Sequence, residues 1–117
     1  MKIGVDIEDI SRFKDKSLEK CSNFLNRIYT KSELDYCFKD KNFAAHLAVR
    51  FCAKEAVYKA LNQLTDKNIS LKDIEILNND KGVPYINLKN IESEYKIEIS
   101  LSHDRTKAIA YAIIQEV

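Results

Sequence analysis

The chain is poor in the residues that interrupt regular structure. It has two glycines and one proline among 117 residues, and the long stretch from Phe43 to Leu64 contains neither. Cysteine is scarce as well. Cys21, Cys37 and Cys52 are odd in number and show no CxxC spacing, which excludes a disulfide framework and a zinc site of the usual kind and fits reduced thiols. A dominant charge is also missing. Lys and Arg number 19 against 18 Asp and Glu, a net charge near +1, so the chain does not read as a general nucleic-acid binder. The opening MKIGVDIEDI is too short and too acidic for a signal peptide, and no apolar run approaches a membrane span. The reading is therefore cytoplasmic, without a membrane partner. Repeats, low-complexity segments and linkers are absent too, which leaves residues 1–117 as one domain. With 45% hydrophobic and 32% charged residues, the composition is that of an ordinary soluble globular protein.

The rest of the sequence is organised around FAAHLAVRFCAKEAVYKALNQL, residues 43–64. Its richness in Ala and Leu predicts a helix of about six turns. At about 100° per residue, Ala44, Ala48, Phe51 and Cys52 share a face, small enough for close packing. Cys52 reads there as a small core residue. Glu55 falls in the middle of the same face, with Lys59 one turn on. A carboxylate in an apolar stripe is costly unless a cation, a hydrogen-bond donor or a metal meets it. An i,i+4 pair of Glu55 with Lys59 at the core edge is one solution, and a functional site is the other.

Residues 2–10 alternate, with Ile3, Val5 and Ile7 on one side and Gly4, Asp6 and Glu8 on the other, which predicts a half-buried strand. Its polar side is either a solvated face beside a tolerated glycine or a hard-cation site with close backbone approach. Residues 11–41 read as helix, break, helix, and Thr30-Lys31-Ser32-Glu33 matches a capping box opening the second helix. Arg12 and Arg27 lie here as surface charges or partner contacts. After the long helix, Asp73–Leu77 and Val83–Leu88 flank the turn signal Asn78-Asn79-Asp80-Lys81-Gly82. Tyr95–Ser102 and Lys107–Ile114 are the last strands, with His103-Asp104-Arg105-Thr106 between them. One strand, three helices and four strands give an α+β domain: a largely antiparallel sheet packed against a long helix and shorter helices.

Gly4-Val5-Asp6 followed by Phe51-x-x-Lys54-Glu55-x-x-x-Lys59 resembles the paired signature of the phosphopantetheinyl transferases. The early position of the first motif and the short chain are similar to the small holo-acyl-carrier-protein synthase branch. Further matches run in order along the chain: Arg12-Phe13, Thr30-x-x-Glu33-Leu34, Ala48-x-Arg50-Phe51, Asp73-Ile74-Glu75-Ile76, Gly82-x-Pro84-Tyr85 and Ser100-x-Ser102-His103.

That resemblance implies the 4′-phosphopantetheinyl transferase fold and transfer of 4′-phosphopantetheine from coenzyme A to a serine of an acyl carrier protein, releasing adenosine 3′,5′-bisphosphate. It implies Mg²⁺ held by Asp6 and Glu55, with Glu8 as a third ligand or a solvent-facing residue. Opening a diphosphate needs charge neutralisation on its oxygens, which such a cation supplies. The serine hydroxyl needs a base, either Glu55 or a cation-bound water. Lys59 is the expected phosphate cation, with Lys54 either a second one or, about 100° round the helix from Glu55, a structural residue; His103 with Arg50 are the expected partners of the nucleotide end. Arg12 is the expected contact for the acidic carrier protein. The resemblance also implies a homotrimer with sites between subunits. The chain departs from the family in having no glycine in Asn62–Asn68, where relatives carry a Gly-rich segment. A catalytically weak module binding coenzyme A or a carrier protein is the alternative reading.

Overall fold

The computed structural model describes residues 1–92 and 94–117. In chain order it contains β1 (Lys2–Asp9), a 3₁₀ turn (Ile10–Phe13), α1 (Ser22–Ile28), α2 (Lys31–Cys37), α3 (Phe43–Leu61), a second 3₁₀ turn (Leu71–Asp73), β2 (Ile74–Asn78), β3 (Pro84–Leu88), β4 (Tyr95–His103) and β5 (Lys107–Glu116). The α+β class and the element order match the sequence reading, and the three strand pairings are all antiparallel. The strands form two sheets instead of one, β1-β5-β4 and the β2-β3 hairpin.

Local chemistry explains several boundaries. α2 begins at a complete capping box: Glu33 N donates to Thr30 Oγ1, and Thr30 N donates to Glu33 Oε1. In the hairpin turn, Asn79 Oδ1 accepts the amides of Lys81 and Val83, and Gly82 adopts a φ of 79°, a conformation that costs glycine little.

The helix α3 is more central than its predicted single face. From Ala45 to Leu61 it is buried on nearly every side, because the three-stranded sheet covers one flank while β2 and α2 cover another. A helix apolar all round belongs in the interior of a domain. It ends at Leu61, one turn short of the predicted Leu64.

For β1 the alternation was legible, but its sidedness is the reverse of a usual half-buried strand. Gly4 is buried and Asp6 and Glu8 are half-buried toward α3, whereas Ile3, Val5 and Ile7 are 51%, 49% and 58% exposed. The reason is the closeness of α3. A Cβ on Gly4 would lie 1.8 Å from the carbonyl oxygen of Ala56. What approaches this glycine is a helix, not a ligand. The row is continued on β5 by Ala108, Ala110 and Ala112, all buried. Only this face of the sheet is flat enough for a helix backbone. The opposite face carries Ile3, Val5 and Ile7 beside Ile113, Tyr111 and Ile109, and five of these six are exposed.

Candidate active site

The contact between Gly4 and Ala56 brings the strand carboxylate to the helix carboxylate. Asp6 stands two residues beyond Gly4 and Glu55 one residue before Ala56, and the charge of Asp6 acts on Glu55. Burial is the largest reason that the Glu55 carboxyl lies above its ordinary range; Asp6 and Glu8 add to the effect, and Lys59 and Arg12 oppose it. Lys59 donates to Asp6 Oδ1 at 3.2 Å and to the carbonyl of Val5 at 3.0 Å. The i,i+4 ion pair of Glu55 with Lys59 does not form among the described residues, so Glu55 keeps its carboxylate free. Asp6 Oδ2 is buried and has no hydrogen-bond partner.

An acceptor oxygen orphaned beside a second carboxylate fits a hard cation. The neighbouring Cys52 does not change this. Its thiol is pushed up to about 12, chiefly by burial and then by Asp6 and Glu8, so it stays protonated and the donor set is oxygen. Among the described residues no three His, Cys, Asp or Glu side chains converge as a closed metal cage. Two carboxylates with room left for phosphate and water suit Mg²⁺ or Mn²⁺. Glu8 does not complete a three-carboxylate shell: its Oε1 accepts from Arg12 Nη1 at 2.7 Å. The Arg12 guanidinium is also stacked 5.0 Å from the Phe51 ring centroid.

One expectation from the signature, Lys54, needs correction. Lys54, expected as a phosphate cation, is fully buried. Its ammonium pairs with Glu33 Oε1 at 2.8 Å and donates to the carbonyls of Leu71 (3.1 Å) and Ile74 (2.7 Å). All three of its donors are used, and one helical step of about 100° turns it away from Glu55. Burial pulls Lys54 below its ordinary range, against the opposing pull of Glu33. Arg50 is 5% exposed, with Nη2 on Asn78 Oδ1 at 2.9 Å and its guanidinium 4.0 Å from the Tyr36 ring centroid. It does not join His103 within the chain.

His103 instead lines a cavity of about 680 Å³ with Lys14, Lys41, Arg105 and the residues that open α3. Asp104 braces this turn by accepting the amides of Thr106 and Lys107, each at 2.8 Å, and those bonds hold its carboxyl below the ordinary range. Lys14, Lys41 and Arg105 were missed in the sequence. Arg105 was legible as a second base in the same turn as His103. Phe43, in the cavity wall, is about 18 Å along the helix axis from Glu55, and neither Asp6 nor Glu55 lines the cavity. One chain thus carries two separate half-sites, one acidic and one basic.

The sequence profile of the 4′-phosphopantetheinyl transferase superfamily matches residues 2–113. The chain belongs to that superfamily. It is 42% identical over 113 residues to a holo-[acyl-carrier-protein] synthase of Thermodesulfovibrio yellowstonii, with 96% of each chain covered. A solved structure of the holo-[acyl-carrier-protein] synthase of Helicobacter pylori in complex with coenzyme A is 33% identical. Its TM-score is 0.80, with 97% of this chain and 99% of that one covered. The Bacillus anthracis synthase, solved in complex with CoA (3′,5′-ADP), is 29% identical with a TM-score of 0.79, over 99% and 96% of the two chains.

Within this superfamily the glycine-free segment after the long helix has a local explanation. The exit from α3 is made by Leu64 N and Thr65 N, both donating to the carbonyl of Leu61. Among the described residues, the only non-glycine with positive φ is Asn90, so this exit requires no left-handed residue. Gln63 donates from Nε2 to the carbonyl of Ile3 at 3.1 Å, which ties the helix end to the open edge of β1.

Proposed function

We propose that residues 1–117 act as one domain that transfers 4′-phosphopantetheine from coenzyme A to a serine of an apo acyl carrier protein. The serine Oγ bonds to the phosphorus that bears pantetheine, the diphosphate P–O bond breaks, and adenosine 3′,5′-bisphosphate leaves with that bond's electrons. The observation that carries this reading is the pairing of Asp6, with its orphaned Oδ2, and an unpaired Glu55 beside Lys59. Asp6 and Glu55 would hold Mg²⁺, which when bound neutralises diphosphate oxygens. Either Glu55 or a cation-bound water accepts the serine proton. Lys59, exposed and held in place by Val5 and Asp6, neutralises charge on the leaving phosphate. Lys54 serves instead as a packing and positioning group, while Arg50, whose Nε is buried without a partner, stays with His103 as a partner of the nucleotide end.

The working form is a homotrimer. The uncovered apolar face of the three-stranded sheet supports this, since monomeric proteins seldom expose so continuous an apolar surface. So does the separation of the half-sites: the basic cavity of His103, Lys14, Lys41 and Arg105 receives the nucleotide phosphates for a neighbour's Asp6 and Glu55. Arg12 meets the acidic carrier protein. Among the described residues no helix is long and apolar enough to cross a membrane, and the protein is assigned to the cytoplasm and to fatty-acid synthesis on this reading. The weak-module alternative rests on the missing glycine segment, and turnover, as against coenzyme A binding alone, separates it from the transferase reading.

The test is intact-mass analysis of apo acyl carrier protein incubated with the chain, coenzyme A and Mg²⁺. A gain of one phosphopantetheine is expected, lost with EDTA or with Asp6→Ala. Retained coenzyme A binding with no mass gain on several carriers would overturn the transferase reading.

A further inference from the structure

Glu8 has no task in the reaction as drawn. It lies two residues beyond Asp6 on the same face of β1, and its charge already acts on Glu55. Its carboxylate nevertheless turns to Arg12, 2.7 Å away, in a pair whose side chains are 17% and 50% exposed. Arg12 is held from below by the rings of Phe51 and Phe13, at 5.0 and 5.6 Å, so its guanidinium has a fixed place at the rim of the acidic half-site. The half-exposed Arg12 guanidinium is a cation that an acidic protein surface can meet. One carboxylate already occupies the place such a surface would seek.

Resting on the reading that the carrier protein docks at Arg12, we infer that Glu8 is an intramolecular competitor for that arginine. An incoming carboxylate displaces Glu8 from Arg12, and Glu8 is left beside Asp6 and Glu55. The exchange leaves the Glu8 carboxylate, 17% exposed, without its cation beside Asp6 and Glu55, a cost that opposes carrier binding. Glu8 therefore sets the affinity for the carrier and its dependence on salt.

The test measures binding of an apo acyl carrier protein whose acceptor serine is replaced by alanine, to wild type, E8Q, R12A and the double variant. Glu8→Gln keeps the shape and removes the charge. E8Q is expected to bind about two- to fivefold more tightly than wild type at low salt, as a partly exposed pair allows. The gain should shrink at high salt and vanish in the R12A background. Weaker binding by E8Q would mean that Glu8 orients Arg12 for the carrier, and would overturn the inference. So would equal tightening with and without Arg12, which would mark a general charge effect. The parent reading is tested separately by phosphopantetheine transfer to the native carrier. If wild type modifies the carrier and E8Q binds no tighter, only the competitor role is lost.

Discussion

Lys54 and Glu55 are adjacent in sequence and have opposite fates. Lys54 is fully buried with every donor engaged. Glu55 is half-buried beside a like charge, with no ion pair among the described residues. The first pattern is that of a charge that joins elements: Glu33 accepts from Lys54, from Thr30 N and from Ile76 N, so α2, α3 and β2 meet at one carboxylate. The second is that of a charge held ready for a ligand. Saturation of hydrogen bonds, more than burial, separates these two charges.

The sharpest way to break this contrast is to remove each member. Lys54→Ala leaves Glu33 buried without its cation and should cost about 3–5 kcal/mol of stability, read from the midpoint of chemical denaturation. Glu55→Gln should do the reverse. Because the fold holds the Glu55 carboxyl above its ordinary range, the ionised form is disfavoured, and the neutral isostere should leave stability unchanged or slightly raised. Transfer to the carrier should meanwhile fall about 100-fold or more, measured as the rate of mass gain. If Glu55→Gln unfolds the protein, or Lys54→Ala spares it, the two residues have been assigned the wrong way round.

Gly4→Ala tests whether close approach builds the acidic half-site. The added methyl would meet the Ala56 carbonyl oxygen at 1.8 Å, so β1 must move away from α3. A loss of about 1–3 kcal/mol is expected from overpacking, with a fall in transfer larger than in Asn62 or Gln63 variants of similar stability.

A smaller effect belongs to acid. Burial alone would raise Glu75, but hydrogen bonds from Thr30 and Asn87 and the charge of Lys89 outweigh it and hold the carboxyl below its ordinary 4.5. Its stabilising contribution is therefore complete above pH 4.5 and is lost as pH falls through the lower native value. Glu75→Gln should lose stability at neutral pH and show a shallower acid limb, as followed by thermal melts across pH.

The smallest prediction concerns thiols. Burial pushes Cys37 and Cys52 up to about 12, so in the native protein both should be inert to a thiol reagent at pH 8. Cys21, half-buried, should react first. Fast modification of Cys52 would argue against the protonated thiol beside Asp6.

The sequence by itself determined what depends on near neighbours along the chain. The capping box at Thr30, the Asn79–Gly82 turn, the alternation of β1 and the helical run of α3 are local preferences, and each formed. The Gly4-Val5-Asp6 and Lys54-Glu55 signatures also fixed the family, because they keep their order and spacing. Tertiary structure alone decided which side of each element faces inward. Period-2 alternation defines two faces of β1 without saying which is buried, and the choice fell to the face that lets a helix backbone lie against Gly4 and three alanines. In the same way, spacing placed Lys54 about 100° from Glu55, but only Glu33, Leu71 and Ile74, brought in from distant segments, made it structural. The pairing of Glu8 with Arg12 arises where the strand turns away from the sheet, and period 2 does not describe that bend. Charges can be counted from a sequence, whereas their partners depend on contacts between segments far apart in the chain.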